Sequence, residues 1–168
     1  MGLFPSKSYI KEAVSVIKTQ YTIENKIKTI EGVVIFTQKQ DYVHITIDIK
    51  GLNKNHLHGF HIHETGDLRE GCKSCCAHYN PHNTEHSGLS GGHAGDLGNI
   101  KTDKNGECKI SINTNKIIVD EILGRSIIIH ADKDDLGLGT FEDSKTTGHS
   151  GARIACSLIG ISKDGICK

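Results

Sequence analysis

Tryptophan is absent from this chain of 168 residues, which contains only two prolines and one methionine. Aromatic residues make up 5% of the chain, so the large side chains that fill many protein cores are scarce. No apolar run approaches the roughly 18 residues of a membrane-spanning helix, which predicts a soluble protein without a membrane span. The N-terminus lacks the apolar stretch of a secretory signal, and this favours a cytoplasmic location.

A net charge of either sign is missing as well. The 20 Lys and Arg residues balance the 20 Asp and Glu residues, so the formal net charge is zero. This balance argues against a nucleic-acid partner and against a basic membrane-binding surface. The first residues fit the loose pattern for N-myristoylation of Gly2. A pattern this short is frequent by chance, and one acyl chain anchors a protein only marginally.

The apolar residues that are present follow β-strand patterns over about one domain of chain. Apolar and polar side chains alternate in residues 43–49 and 109–113, which places the apolar ones on one face of a strand. Residues 33–36, 126–130 and 153–159 are short apolar runs, rich in β-branched side chains. Several short strands without long amphipathic helices predict an all-β sandwich or barrel.

Three other segments bear on the strand order. Residues 14–18 can open the first strand, whereas residues 19–31 alternate charge and isoleucine ambiguously and allow a strand, a loop or a helical turn. The Asn105-Gly106 pair, just before the strand at 109–113, predicts a β-hairpin.

Two stretches, 64–98 and 132–151, are rich in Gly, Asp, His and Ser and fit no strand pattern. Loops longer than about 12–15 residues are uncommon in compact domains unless they are functional or disordered. We therefore expect two long functional loops.

Metal-binding residues are plentiful, with 11 histidines and six cysteines. His61 and His63 are two residues apart, a spacing that on a strand places both imidazoles on one face. The further candidate ligands are His78, His86, His93, Asp96 and His130. Imidazole suits copper and zinc, and a carboxylate completes a zinc site with three histidines. Seven ligands are one short of two four-coordinate sites, so one imidazole must bridge two ions.

The order of these motifs resembles the copper/zinc superoxide dismutase family. The motifs are Gly59-Phe60-His61-Ile62-His63-Glu64, Gly71-Cys72, His78-Tyr79-Asn80-Pro81, Gly95-Asp96-Leu97-Gly98-Asn99, His130-Ala131-Asp132-Lys133-Asp134-Asp135-Leu136-Gly137 and Gly151-Ala152-Arg153-Ile154-Ala155-Cys156. The resemblance implies a Greek-key β-sandwich or barrel with immunoglobulin-like architecture, a zinc loop and an electrostatic loop. We assign residues 11–168 to this domain and residues 1–10 to an N-terminal extension.

The resemblance also implies the activity, which is dismutation of superoxide to molecular oxygen and hydrogen peroxide. One redox-cycling copper and one structural zinc per subunit would share His78. The implied copper ligands are His61, His63, His78 and His130, and the implied zinc ligands are His78, His86, His93 and Asp96. The implied partners are superoxide, a second copy of the chain in a homodimer, and a copper chaperone.

Other roles carry over by motif. Arg153 resembles the arginine that attracts the substrate anion, and it joins the four copper ligands as a catalytic residue. Asp134 resembles the carboxylate that hydrogen-bonds one histidine of each metal, here His61 and His86. Glu142 and Asp143 resemble the acidic pair at the channel rim.

Cys72 and Cys156 match the disulfide of the family, the alternative being two reduced thiols. Cys72 and Cys75 also form a C-x-x-C motif, which by itself suggests a zinc or thioredoxin-like site. We interpret Cys75 and Cys76 instead as extra thiols that exchange with Cys72 or accept copper during maturation. The other two cysteines, Cys108 and Cys167, are expected to be free and are assigned no role.

The remaining histidines have simpler interpretations. His58 is expected to be structural, and the expected surface histidines are His44, His56, His82 and His149. Thr65 stands where the family often has a large apolar residue of the dimer interface, which predicts a weaker dimer. The alternatives to an enzyme are a non-enzymatic metal-binding module, such as the dismutase-like domain of a copper chaperone, and a purely structural cell-surface sandwich.

Overall fold

The computed structural model describes residues 10–23 and 26–166. Gly2, Cys167 and nearly all of the predicted N-terminal extension lie outside these ranges. The strands are β1 (Glu12–Ile23), β2 (Lys26–Gln38), β3 (Val43–Lys50), β4 (Leu57–His63), β5 (Asp96–Lys101), β6 (Cys108–Thr114), β7 (Ser126–His130), β8 (Arg153–Leu158) and β9 (Gly160–Ile161). Short helical segments are a 3₁₀ turn (Gly71–Cys75), α1 (Val119–Ile122), α2 (Ser144–Thr147) and α3 (Lys163–Ile166). No helix in the described ranges is long and apolar enough to cross a membrane.

The strands form two antiparallel sheets, with orders β6-β3-β2-β1-β9 and β5-β4-β7-β8. After β3 the chain crosses to the second sheet for β4 and β5, then returns so that β6 pairs with β3. This connection is of the Greek-key kind. The predicted all-β sandwich is confirmed.

The core lies between the sheets and is filled mainly by isoleucine. In β3 every second side chain is buried, as in Ile45, Ile47 and Ile49, which explains the sequence alternation. Phe36 and Phe60 are the largest fully buried side chains. Branched aliphatic residues thus fill most of a core that contains few aromatic side chains.

Residues 19–31, whose pattern was ambiguous, are mostly strand. They belong to a long hairpin of β1 and β2 in which Gln20 pairs with Thr29. The apolar runs have different limits from those predicted, because β8 ends at Leu158 and β9 pairs with β1 in the other sheet. β5 begins at Asp96, inside the predicted loop 64–98.

The predicted hairpin at Asn105-Gly106 is wrong. A tight turn is present, since the Gly106 N–H donates to the Asp103 carbonyl at 3.1 Å. However, β5 before the turn and β6 after it belong to different sheets. Turn chemistry fixes a local reversal of the chain, whereas burial of the apolar face decides which sheet takes the next strand.

Two long loops meet at one end of the second sheet, residues 64–95 between β4 and β5 and residues 131–152 between β7 and β8. The predicted disulfide between Cys72 and Cys156 is confirmed and ties the first loop to β8. It spans 84 residues of sequence, and a cross-link of this span contributes about 4–5 kcal/mol in the chain-entropy model. Because Cys72 is in this bond, a zinc site at the C-x-x-C motif is excluded. Cys75 is buried and Cys76 exposed, both as free thiols.

Candidate metal centre

The second sheet and its first loop bring the predicted ligands together. His61 and His63 lie on β4, and His130 ends the neighbouring strand β7. The main chains of His63 and His78 form a β-bridge, which places the start of the first loop against β4. Two groups of four convergent ligands result, and His78 belongs to both. The groups are His61, His63, His78 and His130, and His78, His86, His93 and Asp96.

The four-histidine group presents one ring nitrogen from each residue, all within 4.8 Å of one another. Three of these residues have their other ring nitrogen occupied. His61 Nε2–H donates to Asp134 at 2.7 Å, His63 Nδ1–H to the Cys76 carbonyl at 2.9 Å, and His130 Nδ1–H to the Gly151 carbonyl at 3.2 Å. These bonds fix the tautomers and leave Nδ1 of His61 and Nε2 of the other two facing the centre.

His78 bridges the groups with its two ring nitrogens. Its Nε2 is buried on the four-histidine side and has no hydrogen-bond partner in the part of the chain that the structure describes. Its Nδ1 lies 2.9 Å from Asp96 Oδ1 on the other side. One imidazole therefore serves both groups, as the ligand count requires.

The second group has the dimensions of a tetrahedral zinc site. Asp96 Oδ1 lies 2.9 Å from His78 Nδ1, 3.0 Å from His86 Nδ1 and 3.2 Å from His93 Nδ1. The Nδ1 atoms of His78 and His93 are 3.3 Å apart. Zinc bonds of about 2.0 Å require ligand atoms about 3.3 Å apart in a tetrahedron. The other oxygen of Asp96 accepts backbone N–H bonds from Ser87 and His93, which orients the carboxylate.

Asp134 connects the two groups through a hydrogen bond with one histidine of each. Its carboxylate accepts hydrogen bonds from His61 Nε2–H at 2.7 Å and His86 Nε2–H at 2.8 Å, and it is fully buried. Burial would raise the pKa of Asp134, but the hydrogen bonds from the two histidines hold this pKa well below its usual range. Asn99 fixes the Asp134 main chain through two hydrogen bonds of 2.8 and 2.9 Å.

Burial lowers the pKa of each histidine in the four-histidine group, which favours the neutral form. It lowers the pKa of His61 to about 3 and that of His130 to about 4, with nearby histidines adding to the effect. It also holds the pKa of His63 well below its usual range. For His86, burial again opposes the charged form, but hydrogen bonds to Asp134 and Asp96 raise the pKa to about 9. Neutral imidazoles are the form that binds metals.

The donor set fits copper and zinc. Among the described residues, His61 Nδ1, His63 Nε2, His78 Nε2 and His130 Nε2 are buried and have no hydrogen-bond partner. Buried polar atoms normally have partners, so four convergent orphan nitrogens indicate a ligand. Four imidazoles suit copper, and three imidazoles with one carboxylate at tetrahedral spacing suit zinc.

Comparison with known proteins decides the family. The copper/zinc superoxide dismutase (SODC) family model matches residues 30–159. The chain belongs to the copper/zinc superoxide dismutase family. It is 48% identical over 143 residues to a Cu-Zn superoxide dismutase of Paramecium bursaria Chlorella virus 1, covering 82% of this chain and 76% of the relative. It is 46% identical over 141 residues to a Cu-Zn superoxide dismutase of Candida albicans, covering 80% of this chain and 92% of the relative.

Two further comparisons extend over more of the chain. An extracellular Cu-Zn superoxide dismutase of Haemonchus contortus is 45% identical over 161 residues, covering 93% of this chain and 83% of that protein. A crystal structure of the clock protein EA4 superposes with a TM-score of 0.83 at 35% identity, covering 95% of this chain and 100% of the other. The resemblance, fold, activity and two metals predicted from the sequence are thereby confirmed at the level of the family.

Arg153, the predicted substrate-binding residue, lies beside the four-histidine group. Its Nη2–H donates to the Cys76 carbonyl at 2.6 Å, the same carbonyl that accepts from His63, and its Nη1–H donates to the Cys72 carbonyl at 2.8 Å. The guanidinium is close enough to contribute to the lowered pKa of His63 and His130. One carbonyl thus positions both a metal-facing histidine and the arginine.

The expected rim residues lie in the second loop. Glu142 is exposed, and Asp143 accepts a hydrogen bond from His149 Nδ1–H at 2.7 Å. His149 also stacks on Phe141 with the ring centroids 3.7 Å apart. His149 is therefore exposed, as predicted, but it is held in place rather than free.

Among the other histidines, His58 is buried and its Nδ1–H donates to the His130 carbonyl at 2.7 Å, in agreement with a structural role. The surface prediction for His56 is wrong in part, because its ring is half-buried, packs against His58 and donates to the Ala131 carbonyl at 3.2 Å. His44, half-buried, bonds to Asn113, and His82 is exposed.

The lowered histidine pKa values predict that the metal-free dismutase loses stability in acid. In the unfolded chain these histidines bind protons near pH 6.5, whereas in the folded protein His61 and His130 bind them only near pH 3 and pH 4. The unfolded state therefore holds more protons below pH 6.5, and the free energy of unfolding falls as the pH drops to about 4. His86, with a pKa of about 9, stabilises the fold fully below pH 6.5, so its contribution is constant in this window.

The metals are first removed with a chelator. Urea unfolding at several pH values between about 7 and 4 then measures the loss of stability. A tenfold difference in proton affinity between the folded and unfolded states changes the free energy of unfolding by about 1.4 kcal/mol per histidine. The free energy of unfolding is therefore expected to fall by several kcal/mol over this pH range. A His130→Gln variant should show a smaller fall. Stability that is constant or rising in this window contradicts the prediction.

Proposed function

We propose that this chain catalyses superoxide dismutation with His61, His63, His78 and His130 as copper ligands and His78, His86, His93 and Asp96 as zinc ligands. The observation that carries the assignment is the sharing of His78, whose Nδ1 faces one group and whose Nε2 faces the other. Copper, when bound, supplies one-electron redox chemistry, and zinc supplies none.

The residues of the chain bind the substrate and supply a proton. Arg153 attracts the superoxide anion to the four-histidine side, since its guanidinium is always charged. His78 Nε2 is the atom placed to hold a proton and pass it to the reduced substrate, and burial lowers the pKa of His78, which favours release. Asp134 keeps His61 and His86 oriented through the reaction. Two superoxide anions and two protons give one oxygen and one hydrogen peroxide.

Metal analysis combined with a dismutation assay on the purified protein tests this function. We expect about one copper and one zinc per chain, as two four-ligand groups allow, and a rate near the diffusional ceiling. Inactivity of the copper-reconstituted protein would favour a metal store, because the two groups would then bind metal without turnover.

Arg153→Ala is expected to lower kcat/KM for superoxide roughly ten-fold through loss of steering. The rate of this variant should also depend less on ionic strength than the wild-type rate, because the screened attraction is gone. Arg69→Ala is the matched control, since Arg69 is an exposed arginine paired with Asp67. Stopped-flow assays at several salt concentrations measure both effects. An equal loss in the two variants contradicts a specific role for Arg153.

The proposal includes a homodimer, supported by the exposed apolar side chains of Leu158 and Ile161. The Thr65 hydroxyl donates to the Ser74 carbonyl at 2.8 Å, and threonine presents less apolar surface than a large apolar residue, which supports a weaker dimer. Sedimentation equilibrium measures the association. Delivery by a copper chaperone is also proposed, because the four ligand histidines are at most 4% exposed.

We propose a cytoplasmic location, which the exposed free thiol of Cys76 supports, because exposed thiols persist in reducing compartments. An extracellular location, which the name of the Haemonchus contortus relative states for that protein, is the alternative. Cell fractionation distinguishes the two.

A further inference from the structure

Lys116 follows β6, and its side chain extends from the first sheet to the segment that contains His93, in the first long loop, and Asp96, the first residue of β5. Its Nζ–H groups donate to the carbonyls of Gly91 at 2.7 Å, Asp96 at 2.7 Å and His93 at 2.9 Å. The Gly88 carbonyl lies further away, at 3.4 Å. The side chain is half-buried.

The chemistry of these contacts is specific. A lysine ammonium has three donors, and three carbonyls lie at short hydrogen-bond distance. Hydrogen bonds from a charged donor are shorter and stronger than those between neutral groups. Other lysines of the described residues form exposed ion pairs, such as Lys109 with Asp48, whereas Lys116 has backbone carbonyls as its hydrogen-bond partners.

The carbonyls come from a segment that runs from Gly88, near the end of the first long loop, to Asp96, the first residue of β5. Two tight turns shape it, in which the Gly91 N–H donates to the Gly88 carbonyl and the Asp96 N–H to the His93 carbonyl, both at 3.1 Å. The carbonyl oxygens of both turns point at one ammonium. Lys116 therefore joins the turns to each other and to the end of β6.

Two of the four carbonyls belong to residues of the second ligand group. His93 and Asp96 each contribute a side-chain atom to that group and a backbone oxygen to Lys116. We propose that Lys116 is a positioning residue that holds these two ligands in place before the metal binds, and so raises the affinity for a divalent cation. Ordering the ligands in advance reduces the conformational cost of binding.

The ammonium also carries a positive charge near the cation site, which works against binding. Removing Lys116 therefore has two opposite consequences: loss of loop order weakens binding, and loss of repulsion strengthens it. The negative Asp96 carboxylate belongs to the cation site and also attracts the Lys116 ammonium, which offsets part of this repulsion. On this ground, loop order is expected to dominate, and the sign of the measured change tests it.

The test is a titration of the metal-free, disulfide-intact full chain with Co²⁺, followed by competition with Zn²⁺. Tetrahedral Co²⁺ has a visible spectrum, so the readout does not need dismutase activity. Lys116→Met should weaken cation binding at least about ten-fold, the range found for partners that support metal ligands. Lys116→Arg, which keeps charge and donors, should retain most of the affinity. Lys109→Met, a matched control on the exposed face of β6, should bind as the wild type does.

Unchanged or tighter binding by Lys116→Met overturns the proposal, as does equal weakening in Lys109→Met. Hydrogen exchange of the metal-free wild type provides a test that needs no variant. The amides of Gly91 and Asp96 should be protected before metal is added, and exchange as fast as in an open loop contradicts the proposal. The inference rests on the proposed cation site, but not on turnover: an inactive protein that binds Co²⁺ as predicted removes the proposed function and leaves the role of Lys116 intact.

Discussion

Replacing His130 by alanine is expected to lower the dismutation rate by more than about 100-fold, above the usual cost of losing a group that only supports a metal ligand. The variant loses one of the four ring nitrogens that converge on the proposed copper position. It should also contain less copper per chain. Stopped-flow decay of superoxide and metal analysis of the same sample measure the two effects.

The zinc content of the variant shows whether the loss of metal is confined to the copper position. His130 belongs to the four-histidine group and not to the group around Asp96. The His130→Ala protein should therefore keep about one zinc per chain while losing copper. His44→Ala is the matched control, because His44 lies on β3 in the other sheet and its side chain bonds to Asn113. Wild-type activity in His130→Ala, or equal loss of both metals, contradicts the copper assignment.

Several ligands were predictable from the sequence because they lie in short motifs whose spacing places them together, whereas His86 lies in none of these motifs. His61 and His63 are two apart on a strand, and His93 and Asp96 are three apart at a turn. The need for one shared ligand followed from counting donors. The choice of His78 as the bridge came from the resemblance, and the distances around Asp96 agree with it.

Other parts of the site could not be predicted because they depend on contacts between distant segments. Asn99 bonds to the main chain of Asp134, 35 residues further on, and Lys116 bonds to carbonyls 20 to 28 residues before it. No spacing rule connects such residues. A hydrogen bond to a backbone carbonyl also determines which ring nitrogen of His63 faces the centre. Because any residue can supply a carbonyl, the residue type does not reveal this bond.

The same limit applies to the fold. The alternation in β3 predicted a strand correctly, because burial on one face is a local property of the pattern. The turn at Gly106 was also local, but the sheet that β6 joins depends on the position of β3, about 60 residues earlier along the chain. Sheet order is therefore a property of the whole chain.

Asp134→Asn is the change expected to affect both metals at once. Asp134 accepts one hydrogen bond from His61 and one from His86, so it supports one ligand of each group. An asparagine side chain offers one acceptor and one donor. Its amide N–H would face one of the two imidazole N–H groups, and that histidine must flip its tautomer or move. Loss of such a partner weakens metal binding by about 10–100-fold.

Competitive chelator titrations of copper and zinc, with the dismutation rate of each loaded form, measure the effect of Asp134→Asn. We expect weaker binding of both metals, together with lower activity. Asp132→Asn is the control, because it removes the same charge from an exposed side chain two residues before Asp134. Weakening of one metal alone would show which histidine the asparagine oxygen still accepts from. Unchanged affinity for both metals contradicts the role of Asp134, since two buried hydrogen bonds would then contribute nothing to ligand orientation.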